Sequence, residues 1–288
     1  MLKNVAGIWF ESKTSPDEYV VRTYDLGNGH KEAVITRPIV WEEVEPGLAA
    51  RLGDDWQAIA DRDAADKAKQ EEKREANLRR GARRATTRLR RFVKVLALDS
   101  LLTLTYRANM THLPTAKVHL KEFVRRMRRA LPGFVYVCAF ERQKRGAWHM
   151  HIATHKLPVE MAAKNGVKVK SYNVVRAIWR SVTGDLGGNI DQVRRKRWSR
   201  HSTAKMAAYL SKYMLKAFED GDEWSNRYSA SAGVQIPEAV VTRWRGESLA
   251  DLVDLVYQEC ASGPVQIMTW LSRWGDVFYL SSEGPPIS

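Results

Sequence analysis

An α+β fold is predicted, an antiparallel sheet flanked by helices, with a β-rich and helical extension before it and a small α+β region after it. Three observations predict it. Several runs alternate with the period of strands, among them "EYVVRTYDL", "LLTLTY", "FVYVCAFE" and "AWHMHIAT". Runs with apolar residues at helical spacing lie among them. The joins between neighbouring strand-like runs are short and turn-forming, as in Gly27-Asn28-Gly29 and "RQKRG".

In chain order, "EYVVRTYDL" and "HKEAVITRP" read as a hairpin about the Gly-Asn-Gly turn. From about residue 47 to 97 the signal is helical. Leu78, Ala82, Ala85, Leu89, Phe92, Val93 and Leu96 form one apolar stripe. Between Arg79 and Lys94 lie eight basic residues and no acidic one, including Arg79, Arg80, Arg83, Arg84, Arg88 and Arg91. A charge run is commonly a solvated helix face, but acids dominate the stretch before it and then vanish. That asymmetry makes a patch suited to phosphates. "LLTLTYRANMT" is a strand, and "TAKVHLKEFVRRMRRALPG" an amphipathic helix with Thr115 as N-cap, ended by Pro132-Gly133. "FVYVCAFE" and "AWHMHIAT" follow as two strands. A helix in "YNVVRAIWRSVTG", a short strand in "GGNIDQVRR" and a helix across "TAKMAAYLSKYMLKAFED" come next. Past about residue 221 the helix "ESLADLVDLVYQEC" and the hairpin of "VQIMTWLS" with "VFYLSS" read as an appended region. The domain reading is therefore 1–60 β-hairpin region, 61–97 basic helix, 98–220 central domain and 221–288 accessory region.

The 288 residues are 44% apolar, with 10 Trp, 10 Tyr and 7 Phe, which excludes a disordered chain. The net charge of +14 points to a polyanionic partner, nucleic acid or an anionic surface. The first residues carry no apolar run of signal-peptide length, and nowhere do about eighteen apolar residues follow one another. A soluble, cytoplasmic protein is expected, with no membrane partner. Cys138 and Cys260 lie in apolar runs without CxxC spacing, so buried thiols are expected and not a zinc site.

Two constellations carry chemistry. His149 and His151 flank one apolar residue. On a helix such positions diverge by roughly 200°, but on a strand they share a face. If the turn centres on Arg145, Glu141 falls directly opposite His149, and Glu141, His149 and His151 converge while Trp148, Met150 and Ile152 point into the core. Two imidazoles and a carboxylate suit a divalent metal with open positions. A closed zinc site would need a fourth ligand. His155 reads as an exposed strand end.

The second constellation is "KMAAYLSKYMLK". Lys205, Tyr209, Lys212, Tyr213 and Lys216 fall within roughly 100° of one helix face, opposite Ala207, Leu210 and Met214. Tyrosines packing at a core margin would explain two of them. A phenol with a pKa near 10 is about one part in a thousand ionised at pH 7, a deficit of about 4 kcal/mol for a nucleophile. Lysines and a dication nearby would favour the phenolate and neutralise phosphate charge.

"LLTLTY", "E…GAWHMHI" and "YLSKYMLK", in that order, resemble motifs one, two and three of the HUH endonucleases, and the paired tyrosines resemble those of two-tyrosine rolling-circle replication initiators of phages and plasmids. The resemblance covers about residues 95 to 220. "GARRATTRLRRF" is similar to basic helical preludes of filamentous-phage replication proteins. It implies a ferredoxin-like (RRM-like) sheet with the histidines on a central strand facing the tyrosine helix. It implies a nickase and strand transferase that leaves a 5′-phosphotyrosine and a free 3′-OH on single-stranded DNA at a replication origin. Mg²⁺ or Mn²⁺ would be ligated by His149, His151 and Glu141. Tyr213 would attack first, Tyr209 second, and Lys212 and Lys216 would steady phosphates. Trp148 departs from the smaller residue or proline common before the first histidine, and is expected in the core. Nothing resembles a Walker A sequence, so unwinding would fall to a host helicase and synthesis to a host DNA polymerase in a bacterial host cell. A relaxase or single-strand transposase with the same site, and a non-catalytic single-strand-binding module, remain the alternatives.

Overall fold

The computed structural model describes residues 2–5, 8–44, 58–163, 165–192, 203–219, 227–261, 263 and 266–284, without the side chains of 2–4, 9, 58–69 and 215–219. Antiparallel sheets are flanked by five helices among the described residues. The chain divides into two compact units, Met1–Ala76 with Pro237–Ser288, and Asn77–Ile236.

The first unit takes strands from both ends of the chain. From the start come β1 (Leu2–Val5), β2 (Ile8–Thr14), β3 (Glu18–Asp25), β4 (His30–Thr36) and β5 (Ile39–Glu43). From the end come β13 (Val240–Arg245), β14 (Gln266–Leu271) and β15 (Val277–Glu283). One sheet has the order β1-β2-β5, the other β13-β3-β4-β15-β14. The expected hairpin of β3 and β4 is present, its turn carrying positive φ at Gly27, Asn28 and Gly29. Tyr19, Val21, Ala33, Ile35, Phe278 and Leu280 pack under helix α5 (Leu249–Cys260), whose Ser248 hydroxyl accepts from the Asp251 amide at 3.2 Å. Residues 1–60 and 221–288, read from sequence as separate regions, thus contribute to one sheet.

The second unit holds the central domain. Helix α1 (Ala58–Val95) reaches it from Asn77 onward. Then follow β6 (Ser100–Tyr106), α2 (Leu113–Ala130), β7 (Tyr136–Arg142) and β8 (Trp148–Thr154). A small hairpin, β9 (Glu160–Ala162) with β10 (Lys168–Lys170), precedes α3 (Ser171–Thr183) and β11 (Gly188–Gln192). Helix α4 (Thr203–Glu219) and β12 (Tyr228–Ala230) complete it. The sheet order is β11-β6-β8-β7-β12, antiparallel throughout. Its first four strands, with α2 and α3 as crossovers, form the ferredoxin-like βαββαβ unit. α2 begins at Leu113, two residues before the expected cap. Pro114 occupies the first turn, where its missing N–H costs nothing, and Thr115 instead meets Nδ1 of His112 at 2.8 Å.

The sheet is covered on both faces. Leu102, Leu104, Phe140, Met150 and Ile152 pack against Leu120, Phe123 and Met127 of α2 and Trp179 of α3. Trp148 joins this face, 4% exposed, with its indole N–H donating to the Thr111 carbonyl at 2.9 Å, so its bulk is absorbed by the core. On the other face Leu101, Val137, Ala139 and Ala153 pack against Leu89, Phe92 and Val93 of α1 and Ala207, Leu210 and Met214 of α4.

Candidate active site

The site lies on the α4 face of the sheet, on the two strands that α4 crosses. Alternation along β7 puts Val137, Ala139 and Glu141 on that face, and along β8 it puts His149, His151 and Ala153 there. Ala139 and Ala153 are fully buried and have methyl side chains, so α4 packs close over them with Ala207 and Leu210. Beyond the alanines the small apolar floor gives way to the carboxylate and the imidazoles.

The hairpin register agrees with the sequence reading. Glu141 is the partner of His149, and Arg142 of Trp148. The turn is closed by the Gln143 amide donating to the Ala147 carbonyl at 2.9 Å and the Gly146 amide donating to the Gln143 carbonyl at 2.7 Å. Gly146 has φ 87°, a left-handed conformation that a side chain would strain.

Nε2 of His151 lies 2.8 Å from Oε2 of Glu141, and both side chains are nearly buried. Nδ1 of the same ring meets the Thr103 hydroxyl at 3.3 Å. Nδ1 of His149 meets the Gln143 side-chain amide at 3.0 Å, and its Nε2 is buried. Each imidazole thus has Nδ1 engaged by a polar neighbour, the arrangement that orients a metal-ligating histidine with Nε2 as ligand atom. Sequence reasoning misses Gln143 and Thr103, although both carry a signal. Gln143 shares the face of Glu141 two residues on, and Thr103 is the register partner of His151 on β6.

The chemistry of this donor set fits a hard or borderline divalent ion. As the side chains stand, no three His, Cys, Asp or Glu among the described residues gather closely enough to hold an ion together. The two imidazole centroids are 6.5 Å apart. Binding would need Glu141 to exchange its hydrogen bond with His151 for a shared ion.

The tyrosine helix meets this cluster directly. The Tyr213 ring stacks on His151 at a centroid distance of 3.6 Å and an interplanar angle of 11°. Its hydroxyl donates to that of Tyr209 at 2.5 Å, and the two phenol rings are near-perpendicular at 5.1 Å. Tyr209 is 41% exposed. Burial above all pushes the Tyr213 phenol well above its ordinary value, aided by the hydrogen bond with Tyr209, by that phenol's charge and by Glu141. In this arrangement Tyr213 is a poor phenolate, and an added positive charge is what would reverse that.

The remaining predicted residues spread outward. Lys205 and Lys212 are exposed on α4. Lys216 lies on the same helix with its side chain outside the described residues. On α1, Arg79, Arg80, Arg83, Arg84 and Arg88 are exposed and Arg91 is half-buried, whereas Lys94 from the same run is buried. His155 is exposed just past the end of β8.

Residues 99–218 match the family model of the ORF2 type of "Replication-associated protein", a family of rolling-circle replication initiators. The match begins at the start of β6 and ends near the end of α4, spanning both strands of the histidine cluster and the tyrosine pair. No curated protein and no solved structure matches the chain.

Proposed function

We propose that the protein initiates rolling-circle DNA replication as a site-specific single-strand endonuclease and strand transferase. The observation that carries this reading is the Tyr213 ring stacked on His151, itself 2.8 Å from Glu141, within the segment similar to replication-associated proteins. A nucleophile stands next to a cluster suited to phosphate charge.

In the forward step the Tyr213 hydroxyl oxygen attacks the scissile phosphorus and loses its proton. The P–O3′ bond breaks, and the 3′ oxygen takes up a proton as a free 3′-OH. The product is a 5′-phosphotyrosine diester, which retains the energy of the broken bond. Attack of a 3′-OH on that diester is the reverse chemistry and rejoins strands. Tyr209, within hydrogen-bond reach of Tyr213, would take the second transfer, and the proton that Tyr213 loses passes to solvent. His149, His151 and Glu141 would hold Mg²⁺ or Mn²⁺, which when bound supplies positive charge to the phosphate oxygens and favours phenolate over phenol. Gln143 and Thr103 hold the imidazoles in orientation. Lys205, Lys212 and Lys216, with the exposed arginines of α1, contribute a positive surface for the strand, salt-dependent as phosphate contacts are. The nuclease domain is residues 98–220, and unwinding and synthesis fall to host helicase and polymerase. Among the described residues no helix is long and apolar enough to cross a membrane.

Labelled origin-containing single-stranded DNA, incubated with the protein and Mn²⁺, gives a covalent adduct on a denaturing gel. The adduct disappears in Tyr213→Phe with Tyr209→Phe, and His149→Ala retains DNA binding without cleavage. An adduct that survives the double phenylalanine variant overturns the nucleophile assignment. Absence of any adduct with wild-type protein on its origin returns the chain to the binding-module reading.

A further inference from the structure

The larger sheet of the first unit ends in a strand that is open along one side among the described residues. β14 is the outermost strand, paired with β15 alone in an unbroken register. All six of its residues, Gln266 to Leu271, are exposed, and both of its faces are apolar. Ile267 and Leu271 lie on the side of α5, 42% and 52% exposed, and Met268 and Trp270 on the other side, 54% and 57% exposed. Natural edge strands carry charge, proline or a bulge against pairing with another chain. Other edges here do so: β13 has Arg243 and Arg245, β5 has Glu42 and Glu43, and β11 has Asp191. The run from Gln266 to Ser272 has no charged residue and no proline.

The phase of its hydrogen bonds identifies the open main-chain groups. The Ser272 amide donates to the Val277 carbonyl at 2.9 Å, so Ser272 and every second residue before it, Trp270, Met268 and Gln266, turn N–H and C=O toward β15. Ile267, Thr269 and Leu271 turn theirs to the open edge. The order of side chains selects what pairs there. In an antiparallel pair of identical strands about a two-fold axis, residues equally far from the axis meet. With the axis at Thr269, Thr269 meets its own copy, Ile267 meets Leu271 of the second copy, Met268 meets Trp270 and Gln266 meets Ser272. Every apolar residue then faces an apolar one, and roughly six main-chain hydrogen bonds form across the axis. Axes at Ile267 or Leu271, the other residues with outward groups, leave half the strand without a partner. A foreign strand would make the same main-chain bonds but would demand no symmetry of this sequence. The chemical palindrome about Thr269 is what a second copy requires.

We propose that β14 is a self-association edge, at which two copies of the chain pair their β14 strands antiparallel about Thr269 and join their five-stranded sheets into one. Such a pairing buries on the order of 1,000 Å² over both copies, the lower end for specific interfaces, so a reversible dimer with a micromolar dissociation constant is expected. The strand lies outside residues 99–218, and this edge is independent of the nuclease reading.

The test is sedimentation equilibrium of the full chain, treated with nuclease and run at low and high salt over concentrations from about 1 to about 200 µM. A dimer that persists at high salt is expected, because the paired strands hold no charge, whereas copies bridged by nucleic acid separate. Thr269→Lys and Thr269→Glu, at an exposed position, each set like charges face to face on the axis and weaken the dimer by about tenfold. An equal mixture of the two variants restores it, since Lys then meets Glu. Val240→Lys, on the exposed β13 edge, leaves it intact. Circular dichroism reports whether each variant has folded. A chain that stays monomeric up to about 200 µM overturns the proposal, as does a dimer that both Thr269 variants leave intact. A mixture that stays monomeric also overturns it, because pairing about Thr269 requires the rescue. So does a dimer lost in Val240→Lys and kept in Thr269→Lys, which would assign the contact to β13.

Discussion

The two faces of the β11-β6-β8-β7-β12 sheet are built from alternate residues of the same strands, yet they do different work. On the α2/α3 face, positions 140, 148, 150 and 152 are Phe, Trp, Met and Ile, all nearly or wholly buried against Phe123 and Trp179. On the α4 face, positions 139, 141, 149, 151 and 153 are Ala, Glu, His, His and Ala. The first face is filled with large apolar groups that hold the sheet to its helices. The second replaces volume with small residues and polar groups, and lets a helix bring its phenols against imidazole. A one-residue step along β7 or β8 therefore separates a residue that holds the fold from one suited to chemistry.

The sharpest way to break that comparison is to truncate one residue on each face. Phe123→Ala removes a fully buried ring that meets Trp179 edge-on at 5.8 Å, and should cost about 3–5 kcal/mol in denaturant unfolding. The molecules that remain folded should form adduct at the wild-type rate. His151→Ala should do the reverse, cutting adduct formation by about 10²–10³ while the unfolding midpoint moves much less. If Phe123→Ala lowers the rate per folded molecule as strongly as His151→Ala does, the division of labour between faces is wrong.

A smaller effect sharpens the same contrast within the α4 face. Gln143 lies 3.0 Å from Nδ1 of His149, a contact suited to orienting the ring. Gln143→Ala should weaken Mn²⁺ affinity by about 10–100-fold, the usual cost of losing an outer-shell partner, with little change at saturating metal. Titration by isothermal calorimetry and by adduct yield against Mn²⁺ measures both. A reduced maximum yield with unchanged metal affinity would move Gln143 from a positioning role to the substrate.

Much of this is legible in the sequence because it depends on local period. Equal distance of Glu141 and His149 from Arg145 fixes their pairing, and alternation then places Trp148, Met150 and Ile152 on the opposite face. The stripe of Ala207, Leu210 and Met214 likewise identifies the buried side of α4. Other features have no local signal. β13 and β15 pair with β3 and β4 across most of the chain, and such pairing leaves no trace in composition. β12, three residues long, is too short to show a period, and β9 and β10 are equally short. The stack of Tyr213 on His151 depends on how closely α4 approaches, which is set by Ala139 and Ala153, residues that look inert in a sequence. Thr115 misleads because a hydroxyl near a helix start is a common cap, whereas the proline before it favours the first turn and moves the start upstream.

The smallest expected effect lies on the outer surface of α2 and is read through pH. The Glu122 carboxylate receives Arg125 at 2.7 and 2.6 Å and Arg126 at 2.6 Å, and these hydrogen bonds, Arg125 first, hold its pKa down to about 2. The folded value lies below that of the unfolded chain, near 4.5. Its stabilisation is therefore complete above about pH 4.5 and is lost as pH falls toward 2. Glu122→Gln should flatten stability against pH in that window, with its small deficit against the wild type present near neutrality, where salt reduces it, and gone toward pH 2. Unfolding midpoints followed from pH 6 to 2 at low and high salt check this.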